Sequence, residues 1–443
     1  MRGVARSFSD KEIDGNCNCE SSALLRFLLI LTFVLDARFA CVISLPGVFG
    51  ELTSTNWDKE LVCIMAFAVF ILYFVRYKDI VLKKLSCFLP VYLLSLLAVC
   101  IVEIIYSMKT MGSPFSASIK ASEVAYFVLA FPMLIQMIVD GSYRKMLDSL
   151  MVLAVVCAAA MLLQSVFYSM TGDILFSAMT NTSGADVSIR DFGIRFSPPG
   201  GLMSFSAIYS VVCTVFAKTG KRDRTIYSIC SLMLISAIVF VYQTRMEDIA
   251  LIGSLLLGIV ICIESGKLSK GLKRLLVALL VVTVLGMGFL DSFIATFSST
   301  DTVYSGSTSL RLYAYSYYIE MFLRYPLFGF GSLPSTSSIL HGNGAAYISD
   351  VGVIGLSAQW GLLFVALYVA FFWRLVSVYR NTRWVASSFE CALMFSMIAY
   401  LFITSATLCC YSPALGIRVV IALALFEFIN YQIKEKRKVD LDA

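Results

Sequence analysis

The chain has 443 residues, 59% apolar and only 14% charged, with a mean hydropathy of +0.84 and a net charge of +6. Soluble domains carry about 25% charged residues, so this balance excludes a conventional soluble domain and describes a membrane protein. The positive excess does not describe a nucleic-acid surface either, because no basic patch is interleaved with exposed aromatics. In chain order, residues 1–23 form a polar tail ending in Glu20-Ser21-Ser22, which argues against a cleaved signal peptide. A spanning helix needs about 20 largely apolar residues. The stretches that qualify are 24–45, 60–76, 85–105, 121–139, 146–169, 201–217, 225–243, 246–264, 272–295, 351–373, 387–408 and 414–432. Residues 433–443 form a polar C-terminal tail.

Orientation follows from the basic residues, which stay on the cytoplasmic side of a membrane. With the N-terminus inside, the inner segments collect groups such as Arg76, Lys78, Lys83, Lys84 and Lys434, Lys436, Arg437, Lys438. They hold about three times as many Lys and Arg as the outer segments. The expected fold is therefore an all-α polytopic membrane protein: about 12 transmembrane helices in one domain over residues 24–432, with both termini inside.

Two outer loops stand out. Residues 170–200 end in Arg195-Phe196-Ser197-Pro198-Pro199-Gly200-Gly201. Residues 296–350 are too long for a plain linker, and loops of this length are usually functional. Within that loop Ser309–Tyr325 has helical character, stopped by Pro326. Neither loop contains cysteine, and most of the 13 cysteines, including Cys63, Cys100, Cys157, Cys213, Cys230 and Cys262, lie in apolar runs, so no disulfide framework is expected. Cys17-Asn18-Cys19 has the wrong spacing for a zinc site, and no metal or other cofactor is expected.

Outward-facing arginines run against the charge bias. Arg195 closes the shorter loop, Arg245 occupies the turn Tyr242-Gln243-Thr244-Arg245, and Arg311 begins the helical part of the longer loop. Arginine stays charged and grips phosphate oxygens with a planar fork. An arginine at a membrane boundary also serves simply to snorkel to headgroups, and each of these alone fits that role. Glu247 and Asp248 open a helix, where carboxylates favour the positive end, and read as structural. His341 is the single histidine; it fits a solvated loop position as well as proton transfer, for which histidine is the suited residue type near neutral pH. Asp350 fits a helix N-cap and a site residue equally. The tyrosines of Leu312-Tyr313-Ala314-Tyr315-Ser316-Tyr317-Tyr318 suit stacking on sugar rings, Tyr315 and Tyr318 being the candidates, or simply an interfacial helix.

At these residues the chain resembles the O-antigen polymerase and O-antigen ligase superfamily of bacterial envelope glycosyltransferases. The resemblance runs from about Arg190 to Leu367. It rests on Phe192-Gly193-Ile194-Arg195 followed by Pro-Pro-Gly, Thr244-Arg245, Ser309-Leu310-Arg311, Tyr325-Pro326-Leu327-Phe328-Gly329-Phe330-Gly331, and His341 ahead of Asp350-Val351-Gly352-Val353-Ile354-Gly355. It implies a GT-C-like fold in the bacterial inner membrane and a donor glycan on undecaprenyl diphosphate at the periplasmic face. Arg195, Arg245 and Arg311 would hold the diphosphate and His341 would assist the acceptor hydroxyl. A chain-length regulator protein would be a further partner. The turn Gln-Thr-Arg-Met-Glu departs from the family's more usual Ser-Arg followed by small residues, and His341 is followed by Gly342-Asn343 instead of directly by asparagine. The Ser349-Asp350-x-Gly ending looks more like the polymerases. A repeat-unit polymerase is therefore expected, with the ligase that passes polymer to lipid A core as runner-up. A flippase for the same lipid-linked units would need charges facing a central cavity, and the in-span candidates Asp36, Arg38, Glu103, Glu390 and Arg418 are scattered along the chain. A purely structural envelope protein gives no reason for the arginine and histidine placement.

Overall fold

The structure is a computed structural model that describes residues 19–37, 58–84, 88–122, 125–176, 188–190, 193–195, 200–216, 220–263, 305–333, 337–342, 346–348, 351–412 and 415–442. The expected span 272–295, Arg38 and Asp350 lie outside the described residues. Helices are α1 (Cys19–Asp36), α2 (Asp58–Lys84), α3 (Phe88–Thr110), α4 (Phe115–Ser122), α5 (Ala125–Val128), α6 (Ala130–Asp140) and α7 (Arg144–Thr171). A short hairpin follows, β1 (Ser188–Arg190) with β2 (Gly193–Arg195), antiparallel with Ser188 opposite Arg195. Then come α8 (Gly200–Phe216), α9 (Lys221–Ser236) continued by a π-helical turn (Ala237–Tyr242), α10 (Arg245–Ile263), α11 (Ser305–Arg324), α12 (Ser338–His341), α13 (Gly352–Thr382), α14 (Ser388–Thr404) and α15 (Ile417–Asp442).

A bilayer offers no water to backbone amides, so helices that satisfy their own hydrogen bonds are the natural solution for so apolar a chain. Among the described residues five helices are long and apolar enough to cross a membrane: Leu61–Ile80, Phe88–Thr110, Arg144–Thr171, Lys221–Tyr242 and Gly352–Thr382. Tyr126–Asp140, Gly201–Phe216 and Ser388–Thr404 are apolar but shorter. The expected span 121–139 is instead divided among α4, α5 and α6. Large apolar side chains such as Ile64, Val75, Val91, Leu94, Leu232, Val369 and Trp373 face outward, as lipid contact requires.

The centre of the bundle is α15. From Arg418 to Ile429 every side chain is buried, so this helix is enclosed on all sides, as a core helix should be. It is surrounded by α5, α6, α8, α13 and α14. Its two charged groups in this stretch are both paired, Arg418 with Glu247 and Glu427 with Arg374, the latter by two bonds of 2.5 and 2.8 Å.

α13 has 31 residues, about 46 Å at 1.5 Å per residue, against roughly 30 Å of hydrocarbon. It breaks at Gly361 (φ 61°, ψ −152°), and the break is filled by a loop from the preceding segment. The Leu362 N–H donates to Pro326 O (2.8 Å), while Phe330 and Gly331 N–H donate to Ala358 O (3.0 Å) and Gln359 O (2.8 Å). Helix bonds across the break are thus exchanged for bonds to Pro326-Leu327-Phe328-Gly329-Phe330-Gly331. A Cβ at Gly329 (φ 61°) would overlap the Gln359 carbonyl, and one at Gly361 would overlap the Leu327 carbonyl. Only glycine at both positions allows this approach.

Candidate functional site

The tight turn before α10 is built by strain. Gln243 has φ 49°, the one positive φ at a non-glycine among the described residues, and its N–H closes the π-helical turn onto Ile238 O (3.0 Å). Its side-chain Nε2 donates to Phe240 O (2.7 Å), which offsets part of the strain. Both π-helical turns and strained residues cluster at functional positions. The Asp248 N–H then bonds Thr244 O (3.0 Å), starting α10 with Arg245 as its first residue.

One half-turn on, Glu247 holds four helices together. Its Oε1 accepts from Arg418 Nη2 of α15 (2.6 Å), from Ser204 Oγ of α8 (2.5 Å) and from Tyr400 OH of α14. The Arg418 guanidinium lies over the Tyr400 ring, 5.1 Å from its centroid. All four side chains are 0% exposed. A buried pair like this adds little net stability, but removing one partner strands the other charge, at about 3–5 kcal/mol. The knot therefore fixes where α10 begins, two residues from Arg245. The β2 strand, which ends in Arg195, packs on the π-helical turn and on α7. The backbones of Arg195 and of the turn before Arg245 thus share one neighbourhood.

The longer loop closes over the same end of the bundle. Tyr315 OH of α11 donates to Ala406 O just past α14 (2.8 Å), and Val353 N–H at the start of α13 donates to Ser405 O (2.9 Å). Three further tyrosine hydroxyls of α11 hold the short helix that ends in His341. Tyr313 donates to Gly342 O (3.2 Å), Tyr317 to Ile339 O (2.7 Å) and Tyr318 to Leu340 O (2.5 Å). Burial, with Tyr313 and Glu320 nearby, raises the Tyr317 hydroxyl above its ordinary range, so it stays a donor. Gly342 (φ 41°) ends α12 against the Tyr317 ring, and the His341 ring meets Tyr347 edge-on at 5.8 Å.

The structure thus places Arg195, Arg245, Arg311 and His341 on elements at one end of the bundle. Arg311 is exposed on the second turn of α11, and His341 is half-buried. Tyr318 is fully buried and holds the His341 segment through Leu340 O, whereas Tyr315 is half-buried and bonds Ala406 O beyond α14. Glu390, counted among the in-span charges, closes a capping box with Ser387 at the start of α14. Glu103 is 0% exposed on α3, and neither carboxylate oxygen has a partner among the described residues. In sequence, Arg418 is one of several scattered in-span charges and Glu247 a helix-end carboxylate. The signal that identifies them is energetic: an arginine inside an apolar run requires a partner, and Glu247 is one of few carboxylates available. Ser204 and Tyr400 carried no such signal.

Comparison with known proteins finds no family model that matches the chain and no curated protein that matches it.

Proposed function

We propose that the chain is a polysaccharide repeat-unit polymerase that moves a glycan from undecaprenyl diphosphate to a second lipid-linked repeat unit. The observation that carries this reading is the backbone neighbourhood of Arg195 and the Arg245 turn, pinned from beneath by Glu247 and its partners, at the bundle end that also holds Arg311 and His341. In this reading that end faces the periplasm, both termini are cytoplasmic, and about 12 helices cross the bacterial inner membrane.

The acceptor hydroxyl oxygen attacks the anomeric carbon of the donor sugar and forms the new glycosidic bond. The bond from that carbon to the diphosphate oxygen breaks, and the configuration inverts. His341 takes the hydroxyl proton, and undecaprenyl diphosphate leaves with the electron pair. Negative charge grows on the leaving oxygen, so positioned arginines stabilise the transition state, each by about 3 kcal/mol in comparable sites. Arg195, Arg245 and Arg311 are assigned to the diphosphate. Product size then depends on how long the growing chain remains bound, which is where a chain-length regulator would act.

The ligase reading uses the same donor and differs in its acceptor. A flippase would need charges lining an open path, whereas Arg418 and Glu247 are enclosed and bonded to each other. The test is reconstitution. Wild-type protein in liposomes, given undecaprenyl-diphosphate-linked repeat units alone, should produce polymer whose new linkage is inverted at the anomeric carbon. Repeat units left single, or merely moved across the bilayer, would contradict the reading.

A further inference from the structure

The helix that carries the tyrosines of the site has a second face. Ala314, Tyr318 and Met321 of α11 are buried in a small core shared with Phe330, Leu333 and Ala358. Leu312, Ile319 and Leu323 follow one another at helical spacing and form a stripe on the opposite side. That stripe is bare among the described residues: Leu312 is 61% exposed and Leu323 71%, and Leu327, just past the helix, is 60% exposed. Arg311, Glu320 and Arg324 are exposed too, but they flank the stripe and none lies on it.

The depth of the stripe follows from what the end of α11 is tied to. Pro326 O, two residues past the helix, accepts from the Leu362 N–H of α13 (2.8 Å). Leu362 lies about 15 Å along α13 from its start at Gly352, at 1.5 Å per residue. α13 carries no charged residue from Gly352 to Trp373, a run of about 33 Å that matches a hydrocarbon layer of about 30 Å. The end of α11 is therefore level with the uncharged run of that helix and not with its start. α3, which is also long and apolar enough to cross a membrane, gives the same level independently. Phe328 packs on Tyr106 of α3, with 5.4 Å between ring centroids, and Ile105 and Met108 beside Tyr106 face outward. Leu323, Leu327 and Phe328 thus join the outward apolar surface of a spanning helix, at a depth where acyl chains replace water.

We propose that α11 is an interfacial helix, inclined into the leaflet at this end of the bundle, and that the partner of its bare face is the bilayer. Its stripe and Leu327 are set among the acyl chains, while Arg324 on the flank reaches back to the headgroup phosphates, as the long side chains of boundary helices do. Residues 296–350, expected as an outer loop, then enter the membrane in part. Tyr313, Tyr317 and Tyr318 of the same helix hold the segment ending in His341, so the lipid layer sets the height of that segment. The inference needs only that the bundle spans a membrane, and it stands whether or not the chain makes polymer.

Photo-crosslinking of the full-length protein in vesicles of phosphatidylethanolamine and phosphatidylglycerol tests this. A benzophenone-bearing phenylalanine replaces Leu323, Leu327, Ile105 or Lys438, one at a time, and each adduct is identified by its mass. Ile105 faces outward on a spanning helix, and Lys438 is exposed on the polar tail. Leu323 and Leu327 should give phospholipid adducts within about twofold of Ile105 and at least about tenfold above Lys438. An adduct to residues 272–295 or to any other part of the same chain, an adduct to a second copy, or no adduct where Ile105 labels, overturns the proposal. A second measurement avoids the bulky label. The fluorescence that Leu323→Trp adds to the wild-type signal should be quenched by phospholipid brominated on its acyl chains and spared by iodide in the water; quenching by iodide alone overturns the proposal.

Discussion

Two regions meet at the same end of this bundle and are held by different physics. Around Glu247 the fastening is ionic: one carboxylate oxygen gathers groups from α8, α14 and α15, with no exposed atom among the four side chains. Around His341 it is neutral: tyrosine hydroxyls of α11 donate to the carbonyls of Ile339, Leu340 and Gly342. The ionic knot tolerates no partial loss, because a stranded charge costs more than the pair contributes. The tyrosine bonds are worth about 1 kcal/mol each and fail one at a time. The proposed polymerase would use both properties: a fixed place for the diphosphate and a segment bearing His341 that can yield as acceptors enter and leave.

The contrast can be broken most severely at the knot. Arg418→Ala should destabilise the detergent-solubilised protein by about 3–5 kcal/mol, and Glu247→Ala similarly, while Arg418→Met/Glu247→Gln should recover most of that loss. Thermal melting of all three decides it, and a double variant no better than either single one would remove the stranded-charge explanation. Next in size is the inserted loop. Gly361→Ala places a Cβ on the Leu327 carbonyl at φ 61° and should cost upwards of about 2 kcal/mol, seen as a lowered melting point. Tyr318→Phe removes one buried donor from Leu340 O and should cost about 1–3 kcal/mol, whereas Tyr313→Phe, at a part-buried bond, should cost about 0.5–1 kcal/mol. The smallest effect on stability belongs to Arg311→Ala. Its side chain is exposed, so melting should be unchanged while polymer formation falls, separating function from fold.

Much of the bundle was legible from composition. The run 146–169 becomes α7, and the helix foreseen over Ser309–Tyr325 appears as Ser305–Arg324, stopped before Pro326 as expected. These succeed because they depend on local apolar content and a local helix stop. The break in α13 was not legible, because Gln359-Trp360-Gly361-Leu362 reads as a glycine in a continuous apolar helix. Its cause is the loop 326–331, some thirty residues earlier, which supplies the exchanged hydrogen bonds. The hairpin at 188–195 was missed for a related reason: three-residue strands carry too little alternation to stand out. Arg195, Arg245 and Arg311 stand out in sequence because they run against the charge bias of the expected topology. Arg418 and Glu247 lie 171 residues apart, and sequence can state that a buried arginine needs a partner without naming it.

The account stands on Arg245, held at the start of α10 by the knot beneath it. The most direct test compares wild-type protein and Arg245→Ala in liposomes loaded with undecaprenyl-diphosphate-linked repeat units, with melting measured on the same preparations. The account predicts equal melting points and at least a hundredfold slower polymer formation by the variant. Equal rates of polymer formation would contradict it.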